Sequence, residues 1–122
     1  MGFNLQLFSK KNKTNVKAGV ICPKLKKSKL YQDIDVRVKE LVGLAEAISL
    51  QVVLMHKVDL SYVRPSSYFG KGKVLEIKDY ISKTGLEVLI VDSPLTPTQQ
   101  RNLESSFLCK VIDRTGLILE IF

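Results

Sequence analysis

The chain changes hydrophobic rhythm repeatedly along its length, and this alternation restricts the folds open to it more than any single motif. A short β-branched run, AGVIC, precedes DIDVRVKELVGLAEAI, in which Ile34, Val38, Leu41, Val42, Ala45 and Ile48 fall on one helical face. Asp33 stands at the N-cap position, and Gly43 in mid-helix predicts close packing on its side. The run QVVLM follows. Both flanking runs are short and scarcely alternate, which suits strands buried on both faces of a parallel sheet. The unit then recurs. In KVLEIKDYISK, residues Val74, Ile77, Tyr80 and Ile81 share a face, and Gly85 suits a helix stop. EVLIVD reads as a third strand. Thr96, Pro97 and Gln99 then supply an N-cap, a first-turn proline and a capping-box partner for a helix reaching about Phe107. CKVID is a fourth strand, and RTGLILEIF fits the start of another helix at least as well as a strand.

The order β-α-β-α-β-α-β predicts an α/β fold: a four-stranded, mostly parallel sheet with right-handed crossovers, helices on both faces and a truncated C-terminal element. By analogy with doubly wound sheets, the expected strand order is 2-1-3-4. The 122 residues suit one domain, expected over residues 16–122 behind a basic, flexible tail at 1–15. Cys22 and Cys109 lie at opposite strand ends in this arrangement and lack metal-ligand spacing, so reduced thiols are expected. His56 ends an apolar run with no carboxylate or cysteine beside it in sequence and reads as structural.

Net charge is +7, unevenly distributed. Residues 1–30 hold eight lysines and no acid, whereas the remaining 92 residues carry a net −1. Such a concentration suits RNA or another polyanion, or serves only to solvate a terminus. No stretch approaches the roughly 20 apolar residues that cross a bilayer. MGFNLQLF is too short and polar for a secretory signal, and Gln6 stands where myristoylation wants Ser or Thr. A cytoplasmic protein with no membrane partner is expected.

In a sheet of this kind function gathers at the carboxyl ends of the strands. Four segments share that rim: PKLKKSKLY with Lys24, Lys26, Lys27 and Lys29; the long KVDLSYVRPSSYFGKGK connection; DSPLT; and DRTG with Arg114. Gly70, Lys71, Gly72 and Lys73 precede a helix and could meet phosphate, or form only a flexible turn. They are not a Walker A motif, because the GxxxxGK[ST] spacing is missing. Gln99, Gln100, Arg101 and Asn102 offer amide and guanidinium hydrogen-bonding groups, unless they are merely a solvated helix face. Asp92, Asp113 and Arg114 are placed to make a carboxylate–guanidinium network or to cap helices. The single histidine completes no Ser/His/Asp or Cys/His constellation, no paired carboxylates stand out, and neither a catalytic residue nor a metal site is predicted.

SYFGKGKVLEI, TPTQQRNLE and VIDRTGLILEIF, in this order and spacing, resemble the N-terminal domain of the HflX family of GTPases over about residues 16–122. The first motif matches at Tyr68, Gly70, Gly72, Lys73, Glu76 and Ile77. The second matches from Leu95 and Pro97 through Gln99, Gln100, Arg101 and Asn102 to Leu103 and Glu104, and the third from Asp113 and Arg114 to Phe122. Ser93 and Pro94 stand where the family often carries acids after the position of Asp92, and Ser49-Leu50 replaces a common Ala-Gly pair. The resemblance implies a protein that binds the large ribosomal subunit and uses GTP and magnesium, through a helical hairpin and P-loop domain that this chain lacks. Three functions are therefore expected to compete. The first is docking on ribosomal RNA without catalysis or a cofactor in this chain. The second is an ATP-linked activity, with Gly70, Gly72 and Lys73 at phosphates and Asp92 or Asp113 near a metal. The third is regulation of a separate or missing GTPase domain. Leu117, Ile118, Leu119, Ile121 and Phe122 form an apolar end that could drive self-association.

Overall fold

The structure, a computed structural model, describes residues 16–25 and 34–121. The expected tail at 1–15, the cap at Asp33, and Lys26, Lys27, Lys29 and Phe122 lie outside the described residues. Eight elements follow one another: β1 (Val16–Leu25), α1 (Ile34–Ala47), β2 (Leu50–Leu60), α2 (Lys71–Thr84), β3 (Val88–Val91), α3 (Pro97–Phe107), β4 (Lys110–Asp113) and α4 (Arg114–Ile121). The strands form one sheet in the order β2-β1-β3-β4, and every pairing is parallel.

The sheet is covered on both faces, which explains its continuous apolar runs. On one face Val16, Ala18, Val20 and Cys22 of β1 meet Leu41 and Ala45 of α1 and Leu117 of α4. On the other, Ile21, Leu89, Val91 and Val111 meet Ile77 and Ile81 of α2 and Leu103 and Phe107 of α3. RTGLILEI is therefore helical as α4, with Leu117 buried and Leu119 70% exposed.

Local signals set most boundaries. Gly85 takes φ 67°, and its N–H donates to Ile81 O at 2.9 Å, closing α2. Thr96 and Gln99 make the full capping box at α3, with Pro97 in the first turn. Gly19 is closely approached: a Cβ there would lie 2.6 Å from Leu86 Cδ2, so that side chain would have to shift. Two expectations fail. Gly43 is exposed with nothing within 4 Å of a Cβ, so it packs against no neighbour and reflects an open helix face. β2 extends to Leu60, so KVDL belongs to the sheet: β1 pairs with it to the register Leu25↔Leu60, past a register shift between Ala18 and Gly19.

Candidate nucleic-acid interface

After β2, residues 61–70 contain no regular element beyond one small bridge, yet they are firmly held. Arg64 and Tyr68 exchange backbone hydrogen bonds in both directions at 3.0 Å. Tyr68 takes φ 62°, a left-handed conformation uncommon for an aromatic residue. Tyr68 and Phe69 are buried edge to face, with ring centroids 4.8 Å apart. Ser67 Oγ donates to Phe69 O at 2.8 Å.

The polar run of α3 supplies the rest of the anchorage. Gln99 Nε2 donates to Arg64 O and Asn102 Nδ2 donates to Ser66 O, each at 2.8 Å. Gln100 Nε2 donates to Val111 O at 2.8 Å, while Glu104 Oε2 accepts from Val111 N–H at 3.1 Å. The amides of Gln99, Gln100 and Asn102 thus serve the protein's own backbone. Arg101 is exposed.

Held in this way, the loop displays Tyr62 and Arg64 outward, the guanidinium carbon 5.2 Å from the Tyr62 ring centroid. Gly70 caps α2 with φ −67° and ψ 161°, which other residues adopt, so it serves proximity: a Cβ would lie 3.3 Å from Arg64 Nε. Lys71 and Gly72 are exposed in the first turn. Between the loop, α2 and the end of α3 lies an open groove of about 510 Å³, whose lining includes Tyr62, Arg64, Ser66, Ser67, Lys71 and Val74 and no acid.

Lys73 leaves this group and bonds Glu76 Oε2 at 3.2 Å, and that bond is the main reason the Glu76 carboxyl titrates below its ordinary range. His56 gains a neighbour that the sequence hid: Nε2 lies 3.6 Å from Glu76 Oε1, and its ring meets Tyr80 edge to face. Lys24 is exposed near the carboxyl end of β1, in register with Asp59.

Arg114 belongs to the other face of the sheet. Its Nη1 donates to Asp92 Oδ1 at 3.2 Å and its Nη2 to Glu40 Oε2 at 2.9 Å, while Arg37 Nε holds Asp92 Oδ2 at 2.9 Å. Asp113 ties two segments, accepting from Gly116 N–H at 2.8 Å and Leu95 N–H at 3.1 Å. The expected rim is therefore divided. GKGK and the α3 run lie on the α2/α3 side, and Arg114 lies in an ion-pair network on the α1/α4 side. Sequence reasoning missed Tyr62 and Arg64; the length of their connection was the sole pointer.

The glycines and lysines in the first turn of α2 have different surroundings. Gly72 faces open space, Arg64 occupies the approach to Gly70, and Lys73 is engaged by Glu76. Among the described residues no group of three or more His, Cys, Asp or Glu side chains could hold a metal ion. Both cysteines are free, and no described helix is long and apolar enough to cross a membrane.

A family model described as GTP-binding GTPase N-terminal matches residues 35–122. The chain is 46% identical over 83 residues to the GTPase HflX of Magnetococcus marinus, covering 68% of this chain and 19% of that protein. It is 42% identical over 84 residues to the GTPase HflX of Escherichia coli, covering 69% and 19%. With the GTPase HflX of Flavobacterium psychrophilum it shares 33% over 104 residues, covering 85% and 24%. The chain thus spans about a fifth to a quarter of these relatives. Among solved structures, a GTP-binding protein from Sulfolobus solfataricus in complex with GDP superposes with a TM-score of 0.60 at 20% identity, over 87% of this chain and 30% of that one. A point variant of SsGBP gives 0.62 at 21% identity, over 87% and 31%. At such identity the likeness is one of fold.

Proposed function

Because the chain belongs to the HflX family of GTP-binding proteins, as its N-terminal domain, we propose that it docks on RNA of the large ribosomal subunit and performs no catalysis of its own. The reading is carried by one observation: Arg64 and Lys71 stand exposed around a groove that no acidic residue lines. Cations without acidic neighbours attract a polyanion, and counterion release makes the attraction strong at low salt. The eight lysines among residues 1–30 add positive charge to the chain. GTP and magnesium are handled by segments of the family outside this chain, and the protein works in the cytoplasm.

Binding of the 122-residue chain to large-subunit RNA, measured between 50 and 200 mM salt, tests this. The log–log plot is expected to fall with a slope of about −0.7 to −0.9 per phosphate contact, and Lys71→Ala is expected to flatten it by about one contact. Affinity indifferent to salt overturns the reading.

A second reading is favoured by Leu119, 70% exposed on α4. Under it, α4 packs against a further segment of the family protein and regulates it, or against a second copy of the chain. Sedimentation of wild type and Leu119→Lys separates the cases: loss of a concentration-dependent dimer in the variant supports self-association, and a wild-type monomer at all concentrations removes it.

A further inference from the structure

We propose that the groove beside Tyr62 accepts one unstacked nucleotide of single-stranded RNA, with its base against the Tyr62–Arg64 pair and its phosphate at Lys71. This deepens the docking reading and rests on it. Three aromatic residues belong to the loop after β2, and they divide sharply: Tyr68 is 3% and Phe69 0% exposed, while Tyr62 is 59% exposed. The core therefore has no use for the Tyr62 ring. It sits with the Arg64 guanidinium over one face, 5.2 Å from its centroid, a ring and a planar cation stacked as one platform.

Duplex RNA offers phosphates and riboses but no free base face, and a bare phosphate needs no aromatic partner. An aromatic–guanidinium surface beside a second cation matches a nucleotide whose base is splayed from its strand. Lys71 and Arg64 make no ion pair with any described residue, so neither has to abandon a carboxylate to meet a phosphate. Three serines, Ser66, Ser67 and Ser106, add hydroxyls to the lining. The volume of about 510 Å³ lies within the range of small-molecule sites, roughly 300–1,000 Å³.

The loop is also set before binding. The Arg64–Tyr68 bridge, the two α3 amides and the buried Phe69 hold its backbone while Tyr62 and Arg64 face outward. Little ordering then remains to oppose association. An acidic peptide would use the cations alone and leave the ring idle.

The test measures anisotropy of a labelled ten-nucleotide uridine-rich RNA and of a duplex RNA of equal charge against the full chain. Tyr62→Ala is expected to weaken single-strand binding about tenfold while leaving duplex binding within about twofold, and Tyr62→Phe is expected to behave as wild type. Lys71→Ala is expected to weaken both RNAs. If Tyr62→Ala leaves single-strand binding within about twofold while Lys71→Ala weakens it, base stacking is overturned and the docking reading stands. If no RNA, large-subunit RNA included, binds in a salt-dependent way, both fall together. Displacement of the single strand by polyglutamate at equal charge concentration also overturns the nucleotide site. Because Tyr62 lies outside the core, an unchanged melting temperature in Tyr62→Ala is the control for folding.

Discussion

Asp92 is the only charged residue buried among the described residues, and each of its oxygens has its own guanidinium, Arg37 on Oδ2 and Arg114 on Oδ1. Burial of a carboxylate is tolerated when it is paired and hydrogen-bonded, and removing it strands the partners. The side chains of Arg37 and Arg114 are about a third exposed, at 32% and 28%, so water softens that loss. Asp92→Ala is expected to cost about 2 kcal/mol in urea unfolding, below the value for a wholly buried pair. Arg37→Ala should cost less, because Arg114 remains on Asp92. The thiols give a pH prediction. Burial, reinforced by Asp92, pushes Cys22 up to about 12, and burial, reinforced by Glu104, pushes Cys109 up to about 11, against 9.0 ordinarily. The unfolded chain therefore loses these protons first. Their contribution to stability is complete below pH 9.0 and is lost as pH rises toward about 11 to 12. In denaturation series between pH 8 and 10.5, Cys22→Ala/Cys109→Ala should lose stability less steeply than wild type.

Among the elements, α3 does the most varied work, and its sequence only half announces it. The capping box and first-turn proline are local signals, visible in Thr96, Pro97 and Gln99 before any fold is known. The destinations of Gln99 and Asn102 were not visible, because their acceptors lie 35 and 36 residues away in a loop without periodicity. Free donors and engaged donors look alike in one dimension. Gln100 and Glu104 show the same limit: one turn apart, they reach the carbonyl and the N–H of a single residue, Val111. Gln100→Ala/Glu104→Ala should destabilise the protein by about 1–3 kcal/mol and sharply raise amide exchange at Val111, with little change elsewhere in the sheet. β2 was misjudged for another reason. Its second half alternates, with Lys57 and Asp59 exposed between intermediate or buried neighbours, and an edge strand of this kind imitates a loop in composition.

For the whole molecule, the alternation of apolar runs and helical faces was enough to give the class and the element order, while the strand order β2-β1-β3-β4 was expected only by analogy with doubly wound sheets. Strand burial is a property of composition, and a parallel crossover leaves few alternatives. The candidate site was less legible, since its position depends on which helix lies on which face: Arg114 shares a rim with GKGK in the chain's topology but not in space. Both cores take residues from β1, β3 and β4, Val20 and Ile90 on one side, Ile21 and Leu89 on the other. Neither core can melt while the other persists, so thermal unfolding followed by far-ultraviolet circular dichroism and by tyrosine fluorescence should give coincident single transitions. Phe69→Ala, at a fully buried site, should lower that transition in both probes by an amount corresponding to about 3–5 kcal/mol.

An open sheet ordinarily invites foreign chains along its outermost strand. Here Gln100 and Glu104 occupy the outward amide and carbonyl of Val111, standing in for the neighbour that β4 lacks among the described residues. That border is sealed by two side chains, and lateral growth of the sheet past β4 would first have to evict them.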